Sequence, residues 1–194
     1  MPDPFHEQQA REYLTTQFGP QGFSNPAFVA TFEEAPLEGE GPIGVFAFTA
    51  LREGSPPENC FVVAGQTQPN YYPALNLSAE EMYNLHIGTR FMFVLAVAQL
   101  PSDALLGDVQ AMAASTLSGV VPGALVQDVH AQAAFRLEDQ THIVARARVG
   151  PEEVYLVLGD IPLGISRRID LPPHVIYRIH LGQVIRLEKS DEEV

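Results

Sequence analysis

The stretch that decides the predicted fold is Ser78-Ala-Glu-Glu-Met-Tyr-Asn-Leu-His-Ile-Gly88, which runs directly into Thr89-Arg-Phe-Met-Phe-Val-Leu-Ala-Val-Ala-Gln99. Ser78 and Glu81 have the form of a capping box, in which each side chain accepts a hydrogen bond from the other residue's backbone amide. Gly88 stands where a helix would end, because glycine adopts the left-handed C′ conformation without a steric penalty. This half of the stretch predicts a short capped helix.

The second half of the stretch is apolar. Residues 91–98 are eight apolar residues rich in aromatic and β-branched types. A run this short, between a glycine and Pro101, is typical of a fully buried strand. We therefore predict that the helix leads into the central strand of the core. Hydrophobic periodicity leaves one alternative open, a single helix over residues 78–99.

Composition restricts the class of protein. A chain of 194 residues suits one domain, or at most two small ones, and 46% apolar residues with 18% charged residues are typical of a globular protein. The net charge of −13 disfavours non-specific binding to nucleic acid or to an anionic membrane, since both require a basic surface. We expect no nucleic-acid partner and no membrane association.

Cys60 is the single cysteine of the chain, so the sequence contains neither a disulfide pair nor a cysteine cluster for zinc. Its apolar neighbours predict a buried structural thiol rather than a nucleophile. The first residues contain no basic segment followed by an apolar one, as a secretory signal would. These features predict a cytoplasmic protein without a cofactor.

Helical spacing and turn residues divide the rest of the chain into further elements. The predicted elements before the opening stretch are a helix at 5–18, strands at 28–32, 43–51 and 59–66, and a polar, aromatic loop at 66–77. After it we predict a helix from 102 or 103 to 119, strands within 121–158, an irregular segment at 159–173, a last strand at 174–187 and an acidic tail at 191–194. Inspection indicates no internal repeat.

The hairpin around residues 138–141 is predicted in register. A three-residue loop at 139–141 places Leu137 opposite Ile143 and Phe135 opposite Ala145, so that apolar residues share one face. A two-residue loop would instead place Leu137 opposite His142 in that scheme. We therefore expect the longer loop.

The arginine distribution suggests a binding surface. Seven of the eleven basic residues lie between Arg136 and Arg186. The strand pattern predicts an exposed sheet face formed by Arg136, Arg146, Arg148 and Arg178. Guanidinium groups match carboxylates and phosphates, so this face would bind an acidic partner. The alternative is that these arginines pair with nearby acids such as Glu138, Glu152 and Glu153 on a solvated face.

A second candidate site is formed by the aromatic loop at 66–77 and the end of the capped helix that begins at Ser78. Tyr71 and Tyr72 precede His86 and Arg90 in the sequence, and aromatic loop residues next to polar groups are typical of ligand sites. His86 has no second ligand at a usual metal spacing, so we predict no metal or haem there. A core or capping role is the alternative for His86.

Catalytic motifs are absent from the sequence. It contains no nucleophile elbow, phosphate-binding loop, dinucleotide fingerprint or His-Glu-x-x-His motif. The paired acids, such as Glu80-Glu81, are adjacent in sequence and so point apart in a helix or strand.

The sequence therefore predicts a single α+β domain over 1–190, with a largely antiparallel sheet and about three helices. The expected function is non-enzymatic binding of another protein, as an adaptor, accessory or chaperone-like module, with homo-oligomerisation left open. The alternative is a small-molecule binder or enzyme that uses a pocket near the 66–77 loop, His86 and Arg90. A deep pocket would favour the alternative, and a flat exposed face would favour a partner.

Overall fold

The computed structural model describes residues 3–34, 37, 41–65, 69–73, 76–100, 103–120, 123 and 125–192. Over these residues the fold is α+β with antiparallel sheets, as the sequence predicts; the described part contains four helices, one more than expected, and two sheets. The elements are α1 (Pro4–Phe18), β1 (Ala27–Phe32), β2 (Ile43–Ala50), β3 (Glu58–Gly65), β4 (Asn70–Pro73), α2 (Ala79–Phe91), β5 (Ala96–Val97), α3 (Asp103–Val120), β6 (Val126–Leu137), β7 (Gln140–Val149), β8 (Glu152–Leu158), β9 (Gly164–Ser166) and α4 (Pro173–Glu192).

The chain divides into two compact units. Unit 1 comprises Met1–Ile87 with Glu188–Val194, and unit 2 comprises Gly88–Leu187. The sheet of unit 1 has the strand order β1-β2-β3-β4, and that of unit 2 has the order β5-β6-β7-β8-β9. The prediction of one domain over 1–190 stays a prediction. In the expected acidic tail, α4 continues to Glu192, and residues 193–194 lie outside the described residues.

The capping box is confirmed. The amide of Ser78 donates to Oε2 of Glu81 at 2.7 Å, and the amide of Glu81 donates to Oγ of Ser78 at 3.2 Å. The helix does not end at Gly88, however, because α2 continues to Phe91. A Cβ atom at Gly88 would lie 1.9 Å from the carbonyl oxygen of Arg178. Glycine is therefore required for the close approach of another backbone, and the predicted left-handed cap is wrong.

The apolar run 91–98 is not a buried central strand. It forms only the two-residue edge strand β5, whose side chains are exposed. The alternative of a single helix over residues 78–99 is wrong as well, since α2 ends at Phe91.

The predicted last strand at 174–187 is helical in the structure. Pro173 is the first residue of α4, where the missing amide costs no hydrogen bond. The alternating apolar pattern coincides with a helical face, whose buried residues are Val175, Ile176, Tyr177, Leu181, Val184 and Ile185. Pro173, predicted to lie in the irregular segment, instead begins a helix.

The β6–β7 hairpin has a two-residue loop at 138–139, so the predicted three-residue loop is wrong, and Leu137 lies opposite neither Ile143 nor His142. Leu137 pairs with Gln140, and Phe135 pairs with His142. The turn residue Glu138 has φ of 54°, in the left-handed region. A bulge between Ala131 and Ala133 then shifts the register, so that the apolar side chains of β6 reach the core without the three-residue loop.

The two units are copies of one α–β–β–β–β–α arrangement, and unit 2 has β5 in addition. Residues 58–88 and 152–182 align without a gap at a constant spacing of 94 positions. The aligned identical pairs are Glu58/Glu152, Val63/Val157, Gly65/Gly159, Leu77/Leu171, Tyr83/Tyr177, His86/His180 and Gly88/Gly182. The expectation of no internal repeat is therefore wrong.

Strand registers repeat along with the sequence. Phe61 pairs with Tyr72 in unit 1, and Tyr155 pairs with Ser166 in unit 2, at the same 94-residue spacing. The β1–β2 pair is irregular between Phe28 and Ala30, at the position that corresponds to the bulge of β6. Both the pairing and its irregularity are conserved between the units.

Side-chain packing repeats as well. Phe32 stacks on Tyr83 with ring centroids 4.3 Å apart, and the corresponding Phe135 stacks on Tyr177 at 4.8 Å. On the opposite sheet face, Ala10 and Leu14 of α1 are buried, and so are Ala113 and Leu117 at the corresponding positions of α3. Each unit thus buries both faces of its sheet with the same residue positions.

Candidate functional sites

The four predicted arginines do not form one sheet face. Arg146 and Arg148 lie on the same face of β7. Nε of Arg146 lies 2.6 Å from Oε1 of Glu153, and Nη2 of Arg148 lies 2.9 Å from Oδ2 of Asp128. The hydrogen bond with Glu153 raises the pKa of Arg146. These two arginines follow the alternative of local ion pairing on a solvated face.

The other two arginines lie elsewhere in unit 2. Arg136 pairs with Thr141, so it lies on the opposite face of the sheet from Arg146. Arg178 lies on α4, and its Nη2 donates to the carbonyl oxygens of Met92 at 3.4 Å and Phe93 at 2.9 Å. The prediction of a single arginine face is wrong because residues 174–187 are helical and the hairpin register is shifted.

Two of the four residues of the second candidate site, Tyr72 and His86, are part of the core of unit 1. Tyr72 stacks on Phe61 at 4.9 Å, and its hydroxyl group lies 3.1 Å from Nδ1 of His86. His86 is 1% exposed, so this hydrogen bond is within packed side chains. The structure brings Tyr72 and His86 together as core residues, which is the alternative that the sequence left open for His86.

Tyr71 and Arg90 do not join this pair in the core. The side chain of Tyr71 lies on the opposite face of β4 from that of Tyr72. It contacts the rings of Tyr13, Phe18 and Phe48. Arg90 is exposed, one helical turn after His86 on α2. Residues 66–68 and 74–75 of the predicted loop lie outside the described residues.

Among the described residues, no three His, Cys, Asp or Glu side chains are grouped so that they could hold a metal ion. No helix in the described part of the chain is long and apolar enough to cross a membrane.

An apolar surface segment, residues 91–100, follows α2. Its exposed side chains, with their exposed fractions, are Phe91 (48%), Phe93 (76%), Val94 (76%), Val97 (79%) and Leu100 (50%). Arg178 holds the backbone at Met92 and Phe93, and β5 pairs with β6 through Ala96 and Arg136. The sequence indicated this run but assigned it to the core, because hydrophobicity alone does not distinguish a buried strand from an exposed apolar surface.

A cleft of about 490 Å³ lies in unit 1 beside β1. Its lining residues are Asp3, His6, Phe28, Ala30, Thr31, Glu33 and Pro42. Asp3 caps α1 by accepting a hydrogen bond from the amide of Phe5 at 2.9 Å. His6 is 4% exposed, and within the described part of the chain its Nδ1 has no hydrogen-bond partner.

The residues at this cleft differ from those at the corresponding positions of unit 2. Thr31 lies opposite Gly44, and a Cβ atom at Gly44 would lie 3.2 Å from Cβ of His6. The ring of Phe46 comes closer still, with Cε2 at 2.8 Å from that Cβ position, so Phe46 and His6 together fill the space beside Gly44. The positions of unit 2 that correspond to Thr31 and Gly44 are Ala134 and Ile143, which are apolar. Sequence patterns do not reveal this cleft, because it forms where the start of α1 packs beside β1, and these segments are distant in the sequence.

Unit 2 contains a buried histidine next to a buried tyrosine. Nδ1 of His142 lies 2.7 Å from the hydroxyl oxygen of Tyr177. Burial raises the pKa of Tyr177 to about 12, so its hydroxyl group stays protonated and can donate to Nδ1. Burial lowers the pKa of His142, while the carboxylate of Asp160 opposes that shift.

No protein-family model, no curated protein and no solved structure matches this chain.

Proposed function

We propose that this protein is a non-enzymatic interaction module that binds another protein through residues 91–100. The observation that supports this proposal is the exposure of Phe93, Val94 and Val97, each more than three-quarters exposed, within five residues. Water-exposed apolar surface is costly, and a contiguous patch of it is typical of a protein interface. We include a cytoplasmic location in the proposal.

Two of the four predicted partner-binding arginines adjoin this segment. Arg178 donates to backbone carbonyls of Met92 and Phe93, and Arg136 pairs with Ala96 of β5. Apolar side chains next to arginines resemble the composition of interface centres, where aromatic residues and arginine are enriched. The contribution of Arg136, Arg146, Arg148 and Arg178 to binding an acidic partner stays a prediction, and Arg136 and Arg178 are placed best for it.

The test is capture of partners from the source cell extract, followed by mass spectrometry. Val94→Asp with Val97→Asp would place two carboxylates on the apolar segment and should reduce capture of a specific partner by more than about tenfold. The matched control combines Ile165→Asp with Leu187→Asp. It also introduces two carboxylates, but at two other exposed apolar residues of unit 2. Circular dichroism checks that both variants fold.

A second arm tests two further variants in the same assay. The first combines Arg146→Glu with Arg148→Glu, and the second is Arg136→Glu alone. Loss of capture with the first variant alone would move the interface to the outer face of β7. Sedimentation velocity of the wild-type protein shows whether the partner is a second copy of the chain. Equal capture by the Val94/Val97 variant and the wild type would contradict the proposal.

A further inference from the structure

The outer edges of the two sheets differ. In unit 2, β5 covers part of the outer edge of β6: Ala96 pairs with Arg136, Val97 pairs with Phe135, and the amide of Ala98 donates to the carbonyl oxygen of Ala134 at 2.8 Å. The corresponding residues of unit 1 are Glu33, Phe32 and Thr31. Among the described residues no strand pairs with the outer edge of β1.

At the outer edge of β1, the backbone groups of Thr31 have no backbone hydrogen-bond partner among the described residues. Because the carbonyl group of Ala134 points toward β5, away from β7, the repeated register directs the backbone groups of Thr31 away from β2. Such an edge is a template for an additional strand. The acidic cleft lies directly beside it, since Thr31 of β1 and Glu33, the residue that follows β1, both line the cleft.

We propose that the edge of β1 binds an extended basic segment of a partner protein as an additional antiparallel strand, in the register that β5 has on β6. In this register, the partner residue at the position of Ala96 lies opposite Glu33. Cross-strand neighbours project from the same face, so its side chain extends beside Glu33 toward the cleft. A lysine or arginine there meets the carboxylates of Glu33 and Asp3.

Charge complementarity is specific to unit 1. Asp3 and Glu33 are the two acidic residues that line the cleft, and in unit 2 the position of Glu33 is occupied by Arg136. His6 adds a ring nitrogen that has no hydrogen-bond partner among the described residues. Strand addition supplies affinity through backbone hydrogen bonds, and the side chains supply specificity. This surface is separate from residues 91–100 and does not depend on the function proposed for them.

The probe is the capped hexapeptide Val-Leu-Lys-Val-Ala-Gln, which is residues 94–99 with Ala96→Lys. Titration into the ¹⁵N-labelled full chain should shift the amide resonances of Thr31, Phe32 and Glu33. Replacing lysine by glutamate in the peptide should weaken binding by about tenfold, because attraction becomes repulsion. N-methylation of the alanine nitrogen that corresponds to Ala98 should abolish binding, because it removes the donor to the carbonyl group of Thr31.

The protein variant Glu33→Lys should invert the preference, so that the glutamate peptide binds more tightly than the lysine peptide. Glu53→Lys is the matched control, because it changes an exposed glutamate in the loop beyond the far end of β2 and should leave affinity unchanged within about twofold. Dispersed amide spectra verify folding. The proposal is overturned by equal affinity for both peptides, by binding of the N-methylated peptide, by shifts at residues 134–136 instead of 31–33, or by no shift at millimolar peptide.

Discussion

The hydroxyl oxygen of Tyr177 lies 2.7 Å from Nδ1 of His142, and both residues are fully buried in unit 2. Within the described residues, Nε2 of His142 is buried without a partner. A protonated His142 would therefore have an uncompensated charge on that side. Unit 1 has Ile43 at the corresponding position, so the fold itself does not require a histidine there.

Stability should fall in mild acid. Burial lowers the pKa of His142 and of His180, the latter also through the neighbouring His142, while the hydrogen bond to Pro162 opposes that shift. The unfolded chain, with a histidine pKa of about 6.5, then binds more protons than the folded chain. The free energy of unfolding therefore decreases as the pH falls below about 6.5 toward the folded-state pKa values. Urea unfolding between pH 5 and 7.5 measures this slope.

His142→Ile should make that slope shallower, because it installs the residue that unit 1 uses and removes one titrating group. His130→Gln, at an exposed position of β6, is the control and should retain the wild-type slope. An unchanged slope in His142→Ile would assign the pH dependence to other groups.

Gly88→Ala should be strongly destabilising. The added Cβ atom would lie 1.9 Å from the carbonyl oxygen of Arg178, which is too close for any contact. Backbone displacement of this kind costs about 1–3 kcal/mol or more. Gly107→Ala on α3 is the matched control, since nothing lies within 4 Å of its Cβ position, and it should stabilise by up to about 1 kcal/mol. Similar midpoints of urea unfolding for both variants would contradict the close approach at Gly88.

Cys60 should react with a thiol reagent only after unfolding. It is 3% exposed in β3, within the core that α1 covers. A buried thiol is both inaccessible and disfavoured as a thiolate. We expect negligible reaction in native buffer over minutes and complete reaction in denaturant, measured with Ellman's reagent. Stoichiometric native labelling within seconds would place Cys60 at the surface.

Local chemistry was predictable where it depends on neighbours in sequence. The capping box of Ser78 and Glu81 and the burial of Cys60 are correct for this reason. Gly88 was recognised as a special position, but its cause is the backbone of Arg178, which is distant in sequence. The register of β6 was wrong because a bulge and the left-handed Glu138 are not visible in an alternating pattern.

Hydrophobic periodicity does not reveal the repeat, because it predicts a helix for one copy and a strand for the other. Tyr-Asn-Leu-His-Ile-Gly at 83–88 was interpreted as helix, and Tyr-Arg-Ile-His-Leu-Gly at 177–182 was interpreted as strand. Over short apolar segments the two periodicities overlap, so neither copy was decisive alone. Comparing the two hexapeptides would have assigned both to helices. The β1 cleft has no such signal, because it depends on the packing of α1 beside β1.

The bulge after Phe28 has a consequence for solubility. A flat, apolar sheet edge would let molecules of this protein stack on each other without limit. The bulge increases the local twist, so two β1 edges cannot align along their whole length. Glu33 adds like-charge repulsion between copies that each have a net charge of −13. Twist and charge therefore both oppose self-association of this protein through the β1 edge.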